Sequence, residues 1–163
     1  MILYIVRHAI AVQGTGVADA DRELTREGIE KMKKAAAGLR AAEAIPEVVL
    51  SSPLVRARQT AEILIEAFAG KPSLKLVPAL APSGNRPELY REIRRHEGAG
   101  AVMLVGHQPS LGETAGEIAW GPSGCALDLK KGGACALEIE KLTQEPRGTL
   151  LWLMPPAILR KLA

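Results

Sequence analysis

A chain of 163 residues with 47% hydrophobic residues has the length of one domain, 1–163, and enough apolar content for a proper core. The net charge of +3 suits an anionic ligand. With no dense Lys/Arg block and only 3% aromatic residues, a nucleic-acid partner is not expected. The two cysteines, Cys125 and Cys135, match no zinc spacing and make no disulfide framework, so they are read as small packing residues in a reducing cytoplasm.

Residues 2–6 (ILYIV) read as a short buried strand that runs straight into Arg7 and His8. That apolar start is too short for a signal sequence, and no segment is long and apolar enough to span a bilayer, so no membrane partner is expected. After a polar loop, Thr25 is placed to cap a helix in which Ile29, Met32, Ala36 and Leu39 recur at helical spacing to about Ala42. "EVVL" is a second strand. Ser52 then serves as N-cap and Pro53 as first helical residue of a helix running to Gly70. "LKLV" is a third strand, and Asn85 caps a helix whose apolar face carries Leu89 and Ile93. "AVMLV", a fourth strand, leads into "GHQPSLGE" and a helix that ends near "WGPSG". This alternation of strand and helix argues for parallel strands covered on both faces.

The last third differs. "CALDLKKGGACALEIE" reads as a hairpin with Lys130 and Lys131 at its tip, "GTLLWLM" as another strand and "PPAILRKL" as a short terminal helix. The expectation is a mixed, mostly parallel central sheet with antiparallel additions at its end.

Open α/β sheets bind ligands outside the carboxyl ends of their strands. Strand one ends in Arg7 and His8, the helix after strand two carries Arg56 in its first turn, and strand four ends in Gly106 and His107. Three segments far apart in the chain thus send two arginines and two histidines to one rim. Guanidinium forks match phosphoryl oxygens. One imidazole can attack phosphorus, and the other can donate to a phosphoryl oxygen. No aspartate-rich metal motif accompanies them, so neither a metal nor another cofactor is expected. His96, near a helix C-terminus, complements the helix dipole and is assigned no role. The "GTG" loop lacks the spacing of a dinucleotide fingerprint.

"IVRHAIA", "SSPLVRARQTA" and "LVGHQPSL" resemble, in order, the three signatures of the histidine phosphatase superfamily, also called phosphoglycerate-mutase-like. "RELTREG" and "LLWLMPPAILRKL" are similar to segments of its small SixA-type phosphohistidine phosphatase branch. The resemblance implies a three-layer α/β/α sandwich with one antiparallel strand. It implies His8 as the phosphorylated nucleophile, Arg7 and Arg56 as phosphate ligands, and His107 as a catalytic and phosphate-binding partner. The chain departs from larger members in two ways: Ala9, Ile10 and Ala11 follow the Arg-His pair, where those members have Gly and then a Thr and an Asn that help bind phosphate, and their glutamate-bearing insertion is missing. Asp19, Asp21 and Glu23 of the loop after His8, and Glu88, are the carboxylates weighed as proton donors, Glu88 being explained without catalysis by a helix-cap position. A site without a firm acid suits a phosphoramidate, since imidazole, with a conjugate-acid pKa of about 6.5, leaves without help. The leading expectation is a monomeric phosphatase acting on a phosphorylated protein such as a histidine phosphotransfer domain. The rivals are a phosphatase for small phosphorylated metabolites and a non-catalytic phospho-ligand-binding module.

Overall fold

A computed structural model describes residues 1–14 and 16–163, so the Gly-Thr-Gly stretch at 14–16 lies partly outside the described residues. Strand β1 (Ile2–Arg7) leads through a loop with a short 3-10 turn at Asp19–Asp21 into helix α1 (Arg26–Ala41). β2 (Val48–Ser51), α2 (Val55–Ala67), β3 (Ser73–Leu76), α3 (Arg86–Arg94), β4 (Ala101–Gly106) and α4 (Ser110–Trp120) continue the alternation. β5 (Ala134–Lys141), β6 (Arg147–Met154) and α5 (Pro156–Leu162) finish the chain.

All six strands form one sheet in the order β3-β2-β4-β1-β5-β6. β1, β2, β3 and β4 pair in parallel, whereas β5 pairs antiparallel with both β1 and β6. A single strand, β5, therefore runs against the other five. Side chains alternate across the central strands, and both faces are covered. Tyr4, Val6, Val49, Met103 and Val105 pack with Met32 and Leu39 of α1, Ala57 and Leu64 of α2, and Leu159 of α5. Leu3, Ile5, Leu50, Val102 and Leu104 pack with Leu89 and Ile93 of α3 and with Leu111 and Ile118 of α4. The result is a three-layer α/β/α sandwich. Burial on both faces is why the central strands read as unbroken apolar runs in the sequence.

Two caps lie where the sequence places them. The Thr25 hydroxyl accepts from Gly28 N–H at 2.9 Å, and Asn85 Oδ1 accepts from Glu88 N–H at 3.1 Å. Two expectations are corrected. Ser52 does not cap α2, which starts at Val55 after Leu54 with no side-chain cap bond. Instead Ser52 prolongs the sheet ladder, its N–H donating to the Val105 carbonyl at 2.9 Å.

The hairpin of residues 125–140 is also corrected, because only its second arm is a strand, and the hairpin partner of β5 is β6. β5 already has β1 and β6 on its two edges, so no edge is left for the segment before it. That segment lies along α4 instead: Leu127 N–H donates to the Gly112 carbonyl at 3.0 Å, and Gln108 Nε2 donates to the Leu127 carbonyl at 2.8 Å. Cys135 is buried in β5, while Cys125 is exposed on this segment rather than packed.

α1 and α5 cross closely at Gly38, where an added Cβ would stand 1.8 Å from the Leu159 carbonyl oxygen. Alanine gains up to about 1 kcal/mol over glycine in a helix interior. Overpacking against backbone costs roughly 1–3 kcal/mol. Gly38→Ala is therefore expected to lower stability in urea unfolding; a variant more stable than the parent would contradict this packing.

Candidate active site

The parallel register sets the site. Arg7 pairs with Gly106, and Ser51 with Val105, so β1, β4 and β2 finish side by side. The next residues are His8, His107 and Ser52, in that row along one rim. The His8 N–H extends the ladder by donating to the Gly106 carbonyl at 2.9 Å. The His8 and His107 ring centroids are 5.0 Å apart, and both side chains are buried.

His8 Nδ1 lies 2.7 Å from the Ala9 carbonyl. A carbonyl only accepts, so Nδ1 carries the proton and Nε2 keeps its lone pair. The chain just beyond is held by Thr60 of α2, whose hydroxyl accepts from Ala9 N–H at 3.1 Å and donates to the Arg56 carbonyl at 2.6 Å. One hydroxyl thus ties the turn after His8 to the helix that carries Arg56. Gly28 of α1 allows the same turn to come close, since a Cβ there would stand 2.1 Å from the Ile10 carbonyl oxygen.

His107 Nε2 lies 2.8 Å from the Ser52 hydroxyl oxygen, which also accepts from Leu54 N–H at 3.3 Å. Ser52 is fully buried and its hydroxyl has no other acceptor among the described residues, so it gives its hydrogen to Nε2. His107 then carries its proton on Nδ1. That Nδ1 is buried with no partner among the described residues, as are Arg7 Nε and Arg56 Nε. A buried donor without an acceptor costs about 1–3 kcal/mol. Three such donors at one rim make an anion a favourable ligand.

Arg56 is almost wholly buried, and its guanidinium is turned to the loop after β1. Nη1 donates to the Asp19 carbonyl at 2.6 Å and Nη2 to Asp19 Oδ2 at 3.1 Å. Arg7 is half-buried, with Nη1 donating to the Leu129 carbonyl at 2.8 Å. The segment that failed to form a strand thus orients a site arginine.

Burial is the main cause that pushes His8 down to about 4, with the Arg56, Arg7 and Lys131 charges adding to it and the Ala9 hydrogen bond opposing. Burial likewise takes His107 down to about 3, with His8, Arg56 and Arg7 adding and Asp19 opposing. Both rings are neutral at pH 7. Asp19 is held below the usual carboxylate range, first by its hydrogen bond from Arg22 and then by Arg56.

Of the four carboxylates weighed from sequence, only Asp19 reaches the cluster, and it is ionised there. Asp21 and Glu23 line an outer cavity with Val12, Arg22 and Arg58. Glu88 lies on α3 in a shallow cavity with Pro78, Arg91 and Arg95, and is exposed. Neither Asp21 nor Glu88 makes a side-chain hydrogen bond to the cluster among the described residues. Sequence reasoning missed Ser52 and Thr60. Ser52 had a usable signal, since it directly follows β2 as His8 follows β1 and His107 follows β4. Among the described residues no group of three or more His, Cys, Asp or Glu side chains converges as metal ligands would.

Comparison with known proteins gives consistent relatives. The family model for the histidine phosphatase superfamily (branch 1) matches residues 3–81. An uncharacterized protein of Picosynechococcus sp. is 44% identical over 140 residues, 84% of each chain. The phosphohistidine phosphatase SixA of Escherichia coli strain K12 is 27% identical over 162 residues, covering 98% of this chain and 97% of the relative. A solved structure of the protein histidine phosphatase SixA complexed with tungstate superposes with a TM-score of 0.86 at 25% identity, over 98% of this chain and 99% of that one.

Two predictions follow from this geometry. An NMR titration should give His8 a midpoint near 4 and His107 one near 3, against about 6.5 for a free imidazole. Because both are lowered on folding, the unfolded chain binds more protons below pH 6.5. The stability they contribute is thus complete above about pH 6.5 and lost as pH falls towards 4 and below. Midpoints near 6.5 would contradict the burial. Ser52→Ala should lower kcat roughly 10- to 100-fold, less than the roughly 10²–10³ for losing a donor to the oxyanion itself, because Ser52 acts through His107. It should also change the 15N tautomer signature of His107, which an effect on folding alone would leave in place.

Proposed function

The chain belongs to the histidine phosphatase superfamily, in its SixA-type branch, and from that premise we propose that it removes phosphoryl groups through a covalent phosphohistidine on His8, acting on phosphohistidine borne by another protein. The observation that carries the reading is the His8 hydrogen bond to the Ala9 carbonyl, which leaves an imidazole lone pair on Nε2 beside His107 and two guanidinium groups.

In the first step His8 Nε2 attacks phosphorus. A P–N bond to His8 forms while the substrate's P–N bond breaks, and the departing imidazole takes that electron pair. Protonated already on its other nitrogen, it leaves neutral. In the second step water attacks phosphorus, the bond to His8 breaks with its electrons returning to Nε2, and the water's proton is lost to phosphate and solvent. Arg7, Arg56 and the His107 Nδ1–H offset the charge on the phosphoryl oxygens throughout. With that charge met by fixed donors, the proposed chemistry calls for no metal, and chelators should leave the rate unchanged.

The state of Asp19 supports a phosphoramidate substrate. An alkoxide is about as poor a leaving group as hydroxide, whose parent water has a pKa of about 15.7, and needs a proton donor. Asp19, the one candidate at the cluster, is an ionised partner of Arg22 and Arg56 and has no proton to give. It also occupies the guanidinium that a phosphoryl group would use. Substrate entry on this reading requires Arg56 to exchange the Asp19 carboxylate for phosphoryl oxygens.

Rapid quenching during turnover should trap acid-labile, alkali-stable phosphate on His8. His8→Ala should abolish turnover yet retain phosphate and vanadate binding, while Arg56→Ala should weaken both, with kcat down by roughly 10²–10³. Full activity in His8→Ala would overturn the covalent route. Given a phosphorylated histidine domain beside a panel of small phosphoesters, the protein should prefer the former. Fast turnover of one ester with none of the protein would replace the substrate assignment with a metabolite phosphatase.

A further inference from the structure

Next to the phosphoryl site lies a cavity of about 450 Å³ that the chemistry above leaves unused. Its floor is apolar, made by Ile10 from the turn after His8, Met32 and Ala35 from α1, and Pro156 from α5. Its rim is cationic: Arg7, Lys31, Lys130, Lys131 and Arg160 all line it. Lys31 and Lys130 have carboxylate partners in Glu27 and Asp128. Lys131 and Arg160 have no ion-pair partner among the described residues, and Arg7 is bound only to a backbone carbonyl. The rim thus carries a positive excess over an apolar base.

The cavity is held against the site by construction. The Gly132 N–H donates to both the Arg7 and His8 carbonyls, at 3.1 and 3.2 Å, which pins the Lys130–Lys131 turn to the end of β1. Gly132 is in the left-handed region at φ 75°, where a side chain would be strained. Lys130 is exposed, but Lys131 is no solvated hairpin tip, as the sequence suggested: it is half-buried and close enough for its charge to bear on His8. Arg7 belongs to both places, lining the cavity and reaching the histidines with its charge.

We propose that this cavity is the docking subsite for the segment flanking the phosphohistidine of the partner protein. It would take an apolar side chain on the Ile10–Met32–Pro156 floor and acidic side chains on the Lys131–Arg160 rim. The assignment rests on the phosphohistidine reading above and deepens it. Charge complementarity selects the occupant. A phosphoryl group alone needs only the rim of the sheet, and the excess charge beside it suits further anionic groups on the same substrate. An apolar floor under a charged rim fits a mixed acidic and apolar peptide segment better than a small polar metabolite.

The test compares three substrates with the full chain: inorganic phosphoramidate, a phosphohistidine peptide with Asp or Glu and one Leu flanking the modified residue, and the same peptide with neutral flanks. The parent should show a kcat/KM for the acidic peptide about ten-fold above that for the neutral one, and the gap should close as salt rises. In Arg160→Gln, the acidic peptide should lose about three-fold in kcat/KM, through KM. Phosphoramidate should be unaffected, which also reports that the variant is folded. Equal kcat/KM for the two peptides in the parent, or a uniform fall for all three substrates in the variant, overturns the docking assignment alone. Turnover of phosphoramidate with none of either peptide overturns both this assignment and the reading it rests on.

Discussion

The register between β1, β4 and β2 is the constraint from which the rest of the site follows. Parallel pairing with Arg7 opposite Gly106 and Ser51 opposite Val105 makes three strands end in step. The residue after each end, His8, His107 and Ser52, is placed by backbone hydrogen bonds rather than by loop packing. A slip of one residue in β1 would exchange Tyr4 and Val6 on one face with Leu3 and Ile5 on the other and undo the packing on both. The alignment that gathers the imidazoles is thus enforced by the core itself. Thr60 and Gly28 extend that control outward, one clamping the turn after His8 to α2 and the other letting α1 approach it.

Rigidity alone does not make a nucleophile. Burial at the rim removes water from both imidazoles, and the surrounding cations add to that effect, so both rings stay neutral. The same cations and the orphaned Arg7, Arg56 and His107 nitrogens favour a phosphoryl dianion. One arrangement therefore serves two needs: a free lone pair and a welcome for negative charge. The Asp19 carboxylate on Arg56 is the internal anion that answers this charge.

Much of the fold was legible because its elements carry strong local signals. β1 and β4 are apolar on both faces, the Thr25 and Asn85 caps lie just ahead of apolar periodicity, and strand and helix alternate as parallel sheets demand. The rim rule then led to His8, His107, Arg7 and Arg56. The misreadings share one cause, which is that the sequence does not say where backbone groups find partners. The alternating residues 125–129 look like a strand, yet neither edge of β5 was free for them, and they bond to α4. Ser52 before Pro53 looks like a cap, yet its amide continues a ladder and its hydroxyl turns to His107. Lys131 looks like a solvated tip, yet Gly132 folds it back against β1. Among the carboxylates, spacing offered no way to separate Asp19 from Asp21. Only the loop's closure on Arg56 does so.

The central claim is that these separate segments grip one oxyanion in front of His8 Nε2. A crystal structure of the protein soaked with vanadate tests it most directly. The account predicts vanadium within bonding distance of His8 Nε2, its oxygens contacted by Arg7, Arg56 and His107 Nδ1, and Asp19 withdrawn from the Arg56 guanidinium. Vanadate seated away from His8, or bound there with Asp19 still on Arg56, would contradict it.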